Sequence, residues 1–154
     1  MAGLVIDKFS GTYEFLSNFH LCDISFEGLT YGSVEAAFQA AKIKMDTPSM
    51  TNEFREPFVY MTPSKAKRAG RRCTLRPDWE EVKDGVMLDI LRYKFTQHPE
   101  LAAKLLATGD AELIEGTTWH DNYWGNCTCE KCIGKSGKNQ LGKLLMQVRE
   151  EIKR

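Results

Sequence analysis

The stretch that decides the fold class reads Trp79-Glu-Glu-Val-Lys-Asp-Gly-Val-Met-Leu-Asp-Ile-Leu-Arg-Tyr-Lys-Phe-Thr96. Its apolar residues Val82, Val86, Ile90 and Tyr93 recur at the spacing that places side chains on one face of an α-helix. Pro77 stands just before the stretch, at a position where the chain has not yet entered the helix. The pattern therefore predicts a long amphipathic helix over residues 79–96.

Helical patterns also lie on both sides of this stretch. The predicted helices are Ser33 to about Met45 (before Pro48), a basic helix that begins at Ser64 and covers Lys65 to Arg71, Glu100 to Ala107 after Pro99, and Asn139 to Ile152. The last of these has apolar side chains at Leu141, Leu144, Leu145 and Val148. Most of the chain is thus expected to be helical.

The β-content is predicted to be small and close to the N-terminus. Cys22 to Phe26 alternates between polar and apolar residues, Glu27-Gly28 supplies a turn, and Leu29 to Tyr31 returns, which is typical of a β-hairpin. Ile6 to Leu21 has no regular period and is expected to form an ordered loop with its aromatic rings packed inward. We therefore predict a mainly α fold: a single compact domain over residues 1–154 with a small N-terminal β-hairpin.

The composition excludes several classes of protein. With 154 residues, 42% hydrophobic and 27% charged, the chain has enough apolar material for a core, so it is not intrinsically disordered. Its formal net charge of zero argues against a nucleic-acid binder held by bulk positive charge. No stretch approaches the roughly 20 apolar residues of a membrane span, and the first residues lack a signal-peptide layout. The sequence predicts a cytoplasmic protein without a membrane partner.

The first candidate site lies on the helix that begins at Ser33. Glu35, Gln39 and Lys42 are spaced so that they share one helix face, and the first-turn carboxylate is stabilised by the helix dipole. These residues could equally be the solvated surface charges of an amphipathic helix. The basic stretch Lys65 to Arg72 has the same ambiguity, since it could be a solvated face or an edge that holds phosphate.

The second candidate site is the aromatic stretch Thr117 to Gly125, in which Trp119 and Trp124 flank Asp121. Indole rings stack on planar bases or sugars, and an aspartate can hold a hydroxyl group or activate water. The alternative is an aromatic corner of the core, with Asp121 as a turn residue.

The cysteines following this stretch have a spacing that resembles a metal site. Cys127, Cys129 and Cys132 supply three thiolates, whereas a structural zinc ion needs four ligands, so Cys22, Cys73 or His120 would have to complete the set. Free cytosolic thiols or a redox-sensitive loop are the alternatives. Because the fourth ligand is missing locally, no metal and no cofactor are predicted.

Taken together, these motifs resemble the NADAR (YbiA-like) family of N-glycosidases. The matching segments, in family order over about residues 9–149, are Phe9 to Tyr13, Glu14 to Phe19, Tyr31 to Glu35, Gln39 to Lys42, Thr108-Gly109 with Leu113 to Glu115, Trp119 to Gly125, and Gly137 to Met146. Two features depart from the family pattern. Ala36 stands where members often carry a histidine, and many members lack the three-cysteine insert.

The resemblance implies an enzyme that hydrolyses the N-glycosidic bond at ribose C1 of a nucleotide-like substrate. Candidate substrates are a riboflavin-pathway ribosylaminopyrimidine phosphate and ADP-ribose attached to a guanine base, including a base within nucleic acid. On this basis Glu35 would stabilise positive charge at C1, Asp121 would be a second acid/base or a ribose anchor, and Lys42 would bind phosphate or form a Schiff base. The substrate-binding residues would be Phe15, Asn18, Phe19, Gln39, Trp119, Trp124 and Gly125. The alternative is a binding module for ADP-ribose or a related nucleotide that cleaves nothing.

Overall fold

The computed structural model describes residues 4–43 and 53–154. The chain divides into two compact units, Met1–Ser17 with His98–Arg154, and Asn18–Gln97. Helices account for most of the regular structure and the strands are short, so the prediction of a mainly α fold is confirmed. Within the described residues, no helix combines the length and the apolar character that crossing a membrane requires. The assignment of residues 1–154 to one domain stays a prediction.

The described elements follow the predicted order closely. The helices are α1 (Val34–Ala41), α2 (Pro63–Gly70), α3 (Trp79–Gln97), α4 (Pro99–Ala107) and α5 (Gln140–Lys153). The strands are β1 (Val5–Ile6), β2 (Ile24–Phe26), β3 (Leu29–Tyr31), β4 (Glu112–Leu113), β5 (Gly116–Thr117) and β6 (Asn126–Cys127). Short 3-10 helices cover Gly11–Leu16, Glu56–Tyr60 and Glu130–Cys132.

Helix α1 is the central element of the unit Asn18–Gln97. The Ser33 hydroxyl accepts a hydrogen bond from the Ala36 N–H at 3.1 Å, which is the N-cap that the sequence predicts. Every residue of α1 is buried, and the helix packs against both α2 and α3. The helix ends at Ala41, and Met45, the predicted end, lies outside the described residues.

The C-terminal end of α1 is held by two arginines. Arg55 and Arg76 both donate to the Ala41 carbonyl, at 3.4 and 3.5 Å, where the helix dipole favours positive charge. Each guanidinium also forms an ion pair with a carboxylate. Arg55 pairs with Glu27 at 2.6 Å, and Arg76 pairs with Asp78 at 2.7 Å. The backbone N–H of Arg76 donates to the backbone carbonyl of Lys42 at 2.9 Å. The backbone of Lys42 is therefore fixed in place.

The predicted hairpin is confirmed. Strands β2 and β3 pair antiparallel, with Ile24 opposite Tyr31 and Phe26 opposite Leu29. Glu27 and Gly28 have φ angles of 49° and 89°, the left-handed pair that a two-residue hairpin turn requires.

The buried face of α3 differs from the predicted one. The buried residues are Trp79, Met87, Ile90, Leu91, Lys94 and Phe95, whereas Tyr93 is 44% exposed and Val82 and Val86 are only half-buried. Successive residues of an α-helix are rotated by about 100° around the helix axis. A set of apolar residues displaced by one position therefore faces a direction about 100° away. Apolar residues of the 79–96 stretch lie on more than one face of the helix, and periodicity alone selected a face that is not the buried one.

The opening segment is only in part the loop that was predicted. It contains β1 and the 3-10 helix Gly11–Leu16, and Phe9 and Phe15 are buried as expected. Tyr13 and Phe19 are more than a third exposed, so the prediction that all of its rings pack inward is wrong. A 3-10 turn has no 3.6-residue period, which explains why the pattern did not reveal it.

In the unit formed by Met1–Ser17 and His98–Arg154, two short parallel strand pairs meet α5. Strand β1 pairs with β4, and β5 pairs with β6. Asn139, in a left-handed conformation with φ 51°, accepts from the Glu115 N–H at 2.9 Å and donates to the Leu113 carbonyl at 2.8 Å. The Asn139-x-Leu-Gly142 motif is thus a structural clamp between α5 and the strands. The predicted apolar face of α5, Leu141 to Val148, is confirmed as buried.

Candidate functional site

A buried carboxylate–carboxamide pair forms the centre of the candidate site in the unit Asn18–Gln97. Glu35 is 8% exposed and Gln39 is 5% exposed, and the Gln39 Nε2 donates to the Glu35 Oε1 at 2.7 Å. A solvated surface charge would have no reason to be buried in this way, because desolvation of a carboxylate is costly. The alternative that Glu35 belongs to an ordinary exposed helix face is therefore wrong.

Asn18 lies beside this pair and presents an unused acceptor. Its carbonyl accepts from the Glu35 N–H at 3.0 Å, and its Nδ2 makes a weak contact of 3.8 Å with the Met87 sulfur. Among the described residues, the buried Asn18 Oδ1 and Gln39 Oε1 have no hydrogen-bond partner. Buried acceptors are normally satisfied, so two unsatisfied amide oxygens next to a carboxylate point to donors supplied by a ligand.

Lys42 completes the predicted face of α1. Burial lowers the pKa of its ammonium below the usual 10.5, while the nearby Glu35 carboxylate acts in the opposite direction. Lys67 and Arg71 add to the lowering through charge repulsion. A lysine in such surroundings has a larger neutral fraction near pH 7 than an exposed one, which is the form that can act as a nucleophile.

The basic helix contributes more than a solvated face. Lys67 and Arg71 are close enough to Lys42 to affect its pKa, and the Lys67 Nζ lies 6.0 Å from the centre of the Phe19 ring. Burial raises the pKa of the neighbouring Cys73 thiol, which keeps it protonated. The sequence left the basic stretch ambiguous. The structure brings Lys67 and Arg71 within electrostatic range of Lys42, and two such cationic side chains suit a phosphate group.

Gly70, at the end of α2, was missed by sequence reasoning. A Cβ atom built on Gly70 would overlap the Gln39 Oε1, so the absence of a side chain at Gly70 makes room for the Gln39 carboxamide. The carboxamide therefore lies between Glu35 on its nitrogen side and Gly70 on its oxygen side. No periodic pattern identifies such a contact, because it depends on the distance between two helices.

We expect Gly70→Ala to lower kcat/KM by about 10- to 100-fold, the loss typical of one hydrogen bond to a charged group. The added methyl group displaces the end of a flexible side chain, so the melting temperature should change little. Steady-state kinetics and thermal unfolding test this prediction. Gly85→Ala in α3 is the matched control, because a Cβ there meets no atom within 4 Å. Equal kinetics for both variants would contradict the role of Gly70.

The remaining predicted site residues belong to the other unit. The Asp121 Oδ1 accepts from the N–H groups of Tyr123 and Trp124, at 3.1 and 2.9 Å, which is the turn role that the sequence left open. The Trp124 ring makes an edge contact with Tyr123 at 4.9 Å between centroids. Trp119 is 54% exposed, so it is not a core residue.

Gly125 and Phe15 have packing roles in the same unit. A side chain on Gly125 would collide with the Glu115 carbonyl and with Thr117, so the glycine permits the close approach of the chain beside β5 and β6. Phe15 is buried, and the Lys104 Nζ lies 5.8 Å from its ring centre. The structure thus brings Glu35, Gln39, Lys42 and Asn18 together in one unit, and Asp121, Trp124 and Gly125 together in one loop of the other.

The premise that the cysteine stretch lacks a local fourth ligand is wrong. The turn after Trp119 brings the His120 imidazole to the three thiols, with 3.2 Å from its Nδ1 to the Cys129 Sγ and 3.4 Å to the Cys132 Sγ. The chain loops back after β5 so that β6 runs parallel beside it, and this return cannot be inferred from residue spacing.

Known proteins resemble this chain over most of its length. The N-glycosidase YbiA of Shigella boydii is 41% identical over 93% of this chain and 84% of that protein. The riboflavin biosynthesis protein VVA0006 of Vibrio vulnificus is 36% identical over 91% of this chain and 36% of that protein. An NMR structure of the Escherichia coli protein YbiA superposes with a TM-score of 0.80 at 40% identity, covering 99% of this chain and 87% of that one.

These relatives define the class of the protein, which is that of hydrolases acting on N-glycosyl bonds. The chain belongs to the NADAR domain family, whose model matches residues 7–153.

Proposed function

We propose that this chain hydrolyses the N-glycosidic bond at ribose C1 of a phosphorylated, nucleotide-like substrate, with Glu35 as the catalytic carboxylate. The observation that carries this proposal is the buried Glu35, held by Gln39 at 2.7 Å and placed beside a lysine of lowered pKa. A module that only binds a nucleotide needs no carboxylate at C1, whereas cleavage there does. This argument disfavours the non-catalytic alternative.

The proposed reaction consumes one water molecule. The bond between C1 and the base nitrogen breaks, the water oxygen bonds to C1, and one water proton ends on the departing nitrogen. Positive charge develops on C1 and the ring oxygen as the bond breaks, so a carboxylate fixed nearby stabilises the transition state more than the ground state. The Gln39 carboxamide fixes the orientation of Glu35 through the hydrogen bond that its Nε2 donates.

The positive side chains divide into two proposed roles. Lys67 and Arg71 hold the phosphate, because they are the cationic side chains nearest in electrostatic terms to Lys42 and lie on the basic helix and just after it. Lys42 offers a second route to the same products: the sugar ring opens, the neutral Lys42 amine bonds to C1 and displaces the base amine, and water then hydrolyses the resulting imine. The burial that lowers the pKa of Lys42 favours the amine role over that of a permanent phosphate ligand.

The aromatic residues are proposed to hold the base and the ribose. Phe19, in the same unit as Glu35, is 39% exposed and is proposed to stack on the base. In the other unit Trp119 is 54% exposed, and Trp124 supports the loop that carries Asp121. Both hydrogen bonds to Asp121 reach Oδ1, so we assign this residue to anchoring a ribose hydroxyl rather than to acid/base work. Phe15 and Gly125, proposed at first as direct contacts, are now proposed to support the site through packing.

Among the candidate substrates we favour the ribosylaminopyrimidine phosphate of the riboflavin pathway. The name of the Vibrio vulnificus relative refers to riboflavin biosynthesis, and a single phosphate matches one small cluster of cationic groups. ADP-ribose on a guanine base, whether free or within nucleic acid, needs the same chemistry at C1 and more room for phosphate.

Incubation of the enzyme with each substrate, followed by chromatography of the products, tests the proposed function. We expect release of the free pyrimidine amine and ribose 5-phosphate from the ribosylaminopyrimidine phosphate, at a rate at least about tenfold above that with ADP-ribosylated guanosine. The Glu35→Gln variant is the control for contaminating activity. Release of guanosine and ADP-ribose, with no product from the ribosylaminopyrimidine phosphate, would transfer the assignment to ADP-ribose, and no product from either substrate would refute the proposal.

A further inference from the structure

The loop between β5 and β6 and the turn that follows carry a cluster of metal-binding side chains outside the proposed catalytic site. His120, Cys127, Cys129 and Cys132 each offer one ligand atom, and all four atoms lie within 4.8 Å of one another. From this arrangement we infer that the chain binds one structural zinc ion through three thiolates and one imidazole. The inference is independent of the proposed substrate, because it concerns binding of a metal and not turnover.

The distances match those of a tetrahedral zinc site. Zinc–sulfur bonds of about 2.3 Å and zinc–nitrogen bonds of about 2.0 Å place neighbouring ligand atoms about 3.5–3.8 Å apart. The His120 Nδ1 lies 3.2 Å from the Cys129 Sγ and 3.4 Å from the Cys132 Sγ. The 4.8 Å limit exceeds the ideal separation by about 1 Å, which small side-chain rotations remove.

The local backbone explains how the four ligands meet. Strand β6 ends at Cys127, and the parallel pairing of Gly116 with Asn126 and of Thr117 with Cys127 returns the chain beside β5. The Cys132 N–H then donates to the Cys129 carbonyl at 3.0 Å, closing a tight turn that directs both thiols to one side. His120, the first ligand, is therefore brought next to ligands that follow it by seven to twelve residues.

His120 adopts a conformation that needs a compensating interaction. Its φ angle is 69°, in the left-handed region that costs a non-glycine residue about 1 kcal/mol or more. This conformation places its backbone N–H 3.3 Å from the Cys127 Sγ, while its ring nitrogen faces the other two sulfurs. A bound cation would stabilise both the three thiolates and the backbone that holds the imidazole.

The type and number of ligands identify the metal and its role. Three cysteines with one histidine are typical of structural zinc, and four protein ligands leave no open position for a substrate or an activated water. Cys127 and Cys132 are buried, which suits ligands enclosed by the fold. The metal would restrict the conformation of the loop that carries Trp119, Asp121 and Trp124. It would also stabilise the folded state by its binding free energy.

Metal analysis of protein that was purified without chelator provides the first test. We expect about one zinc ion per chain by mass spectrometry of the metal, and a lower melting temperature after chelation that returns on addition of zinc. Cys129→Ser should lower the zinc content at least about tenfold, whereas Cys22→Ser, a cysteine outside the cluster, should retain it. Wild-type protein with less than about one zinc per ten chains, and no response of its melting temperature to zinc, would overturn the inference.

Thiol labelling of the wild-type protein tests the same inference without a variant. The chain has five cysteines. We expect a maleimide to modify Cys22 in the zinc-bound protein, and peptide mass spectrometry to find Cys127, Cys129 and Cys132 modified only after chelation. Equal labelling of all five thiols before chelation would contradict the inference. So would a disulfide within the cluster, recognised by the loss of two hydrogens in mass.

Discussion

Glu35→Gln should lower kcat by about 10²–10³-fold while leaving the protein folded. The variant keeps the shape of the side chain and an oxygen that can accept the hydrogen bond from Gln39, and it removes only the charge. Loss of one electrostatic group aimed at a developing cation costs about 3–4 kcal/mol of transition-state stabilisation. Stability should change by less than about 1 kcal/mol, because the carboxylate gains little from the helix dipole and its burial is costly.

Turnover, substrate affinity and melting temperature, measured on the same variant, separate the explanations. Retained affinity with lost turnover identifies a catalytic carboxylate. Glu80→Gln is the matched control, since Glu80 is also a first-turn helix carboxylate but is exposed to solvent and paired with Lys83 at 2.9 Å. Full turnover in Glu35→Gln would end the catalytic assignment of Glu35.

The main features of the fold could be predicted from the sequence because they depend on local chemistry. The Ser33 cap, the apolar stripe of α5 and the Glu27-Gly28 turn are each specified by neighbouring residues, and all three are confirmed. The pairs β1–β4 and β5–β6 could not be predicted, since two-residue strands have no period to detect. The face of α3 was wrong because which stripe is buried depends on what packs against the helix.

The candidate site was only partly visible in the sequence for a similar reason. Spacing on α1 placed Glu35, Gln39 and Lys42 on one face, and the hydrogen bond between the first two confirms it. Spacing could not reveal that this face is buried, that Gly70 makes room for Gln39, or that Lys67 and Arg71 surround Lys42. These contacts arise between separate helices. The resemblance to a family supplied the reaction class that the residues alone left open.

Substitution of Lys42 by arginine distinguishes its two proposed roles, because arginine keeps the positive charge and cannot release its proton near neutral pH. If the Lys42 amine attacks C1, turnover should fall more than about 10³-fold, as removal of an enzyme nucleophile typically does. If Lys42 binds phosphate, turnover should remain near the wild-type value. Lys65→Arg, on the exposed part of the basic helix, is the matched control.

The pH dependence of kcat/KM for the wild-type enzyme distinguishes the two roles of Lys42 independently, because the roles predict opposite changes with pH. Burial lowers the pKa of Lys42 below its usual 10.5, so the amine form becomes populated as pH rises through that lowered value. A nucleophilic amine makes kcat/KM rise with pH and level off above the pKa, whereas a charged phosphate ligand makes kcat/KM fall over the same range. Borohydride reduction during turnover should then leave the sugar attached to Lys42, located by peptide mass spectrometry. A falling profile without an adduct would assign Lys42 to the phosphate and leave the attack on C1 to water positioned by Glu35.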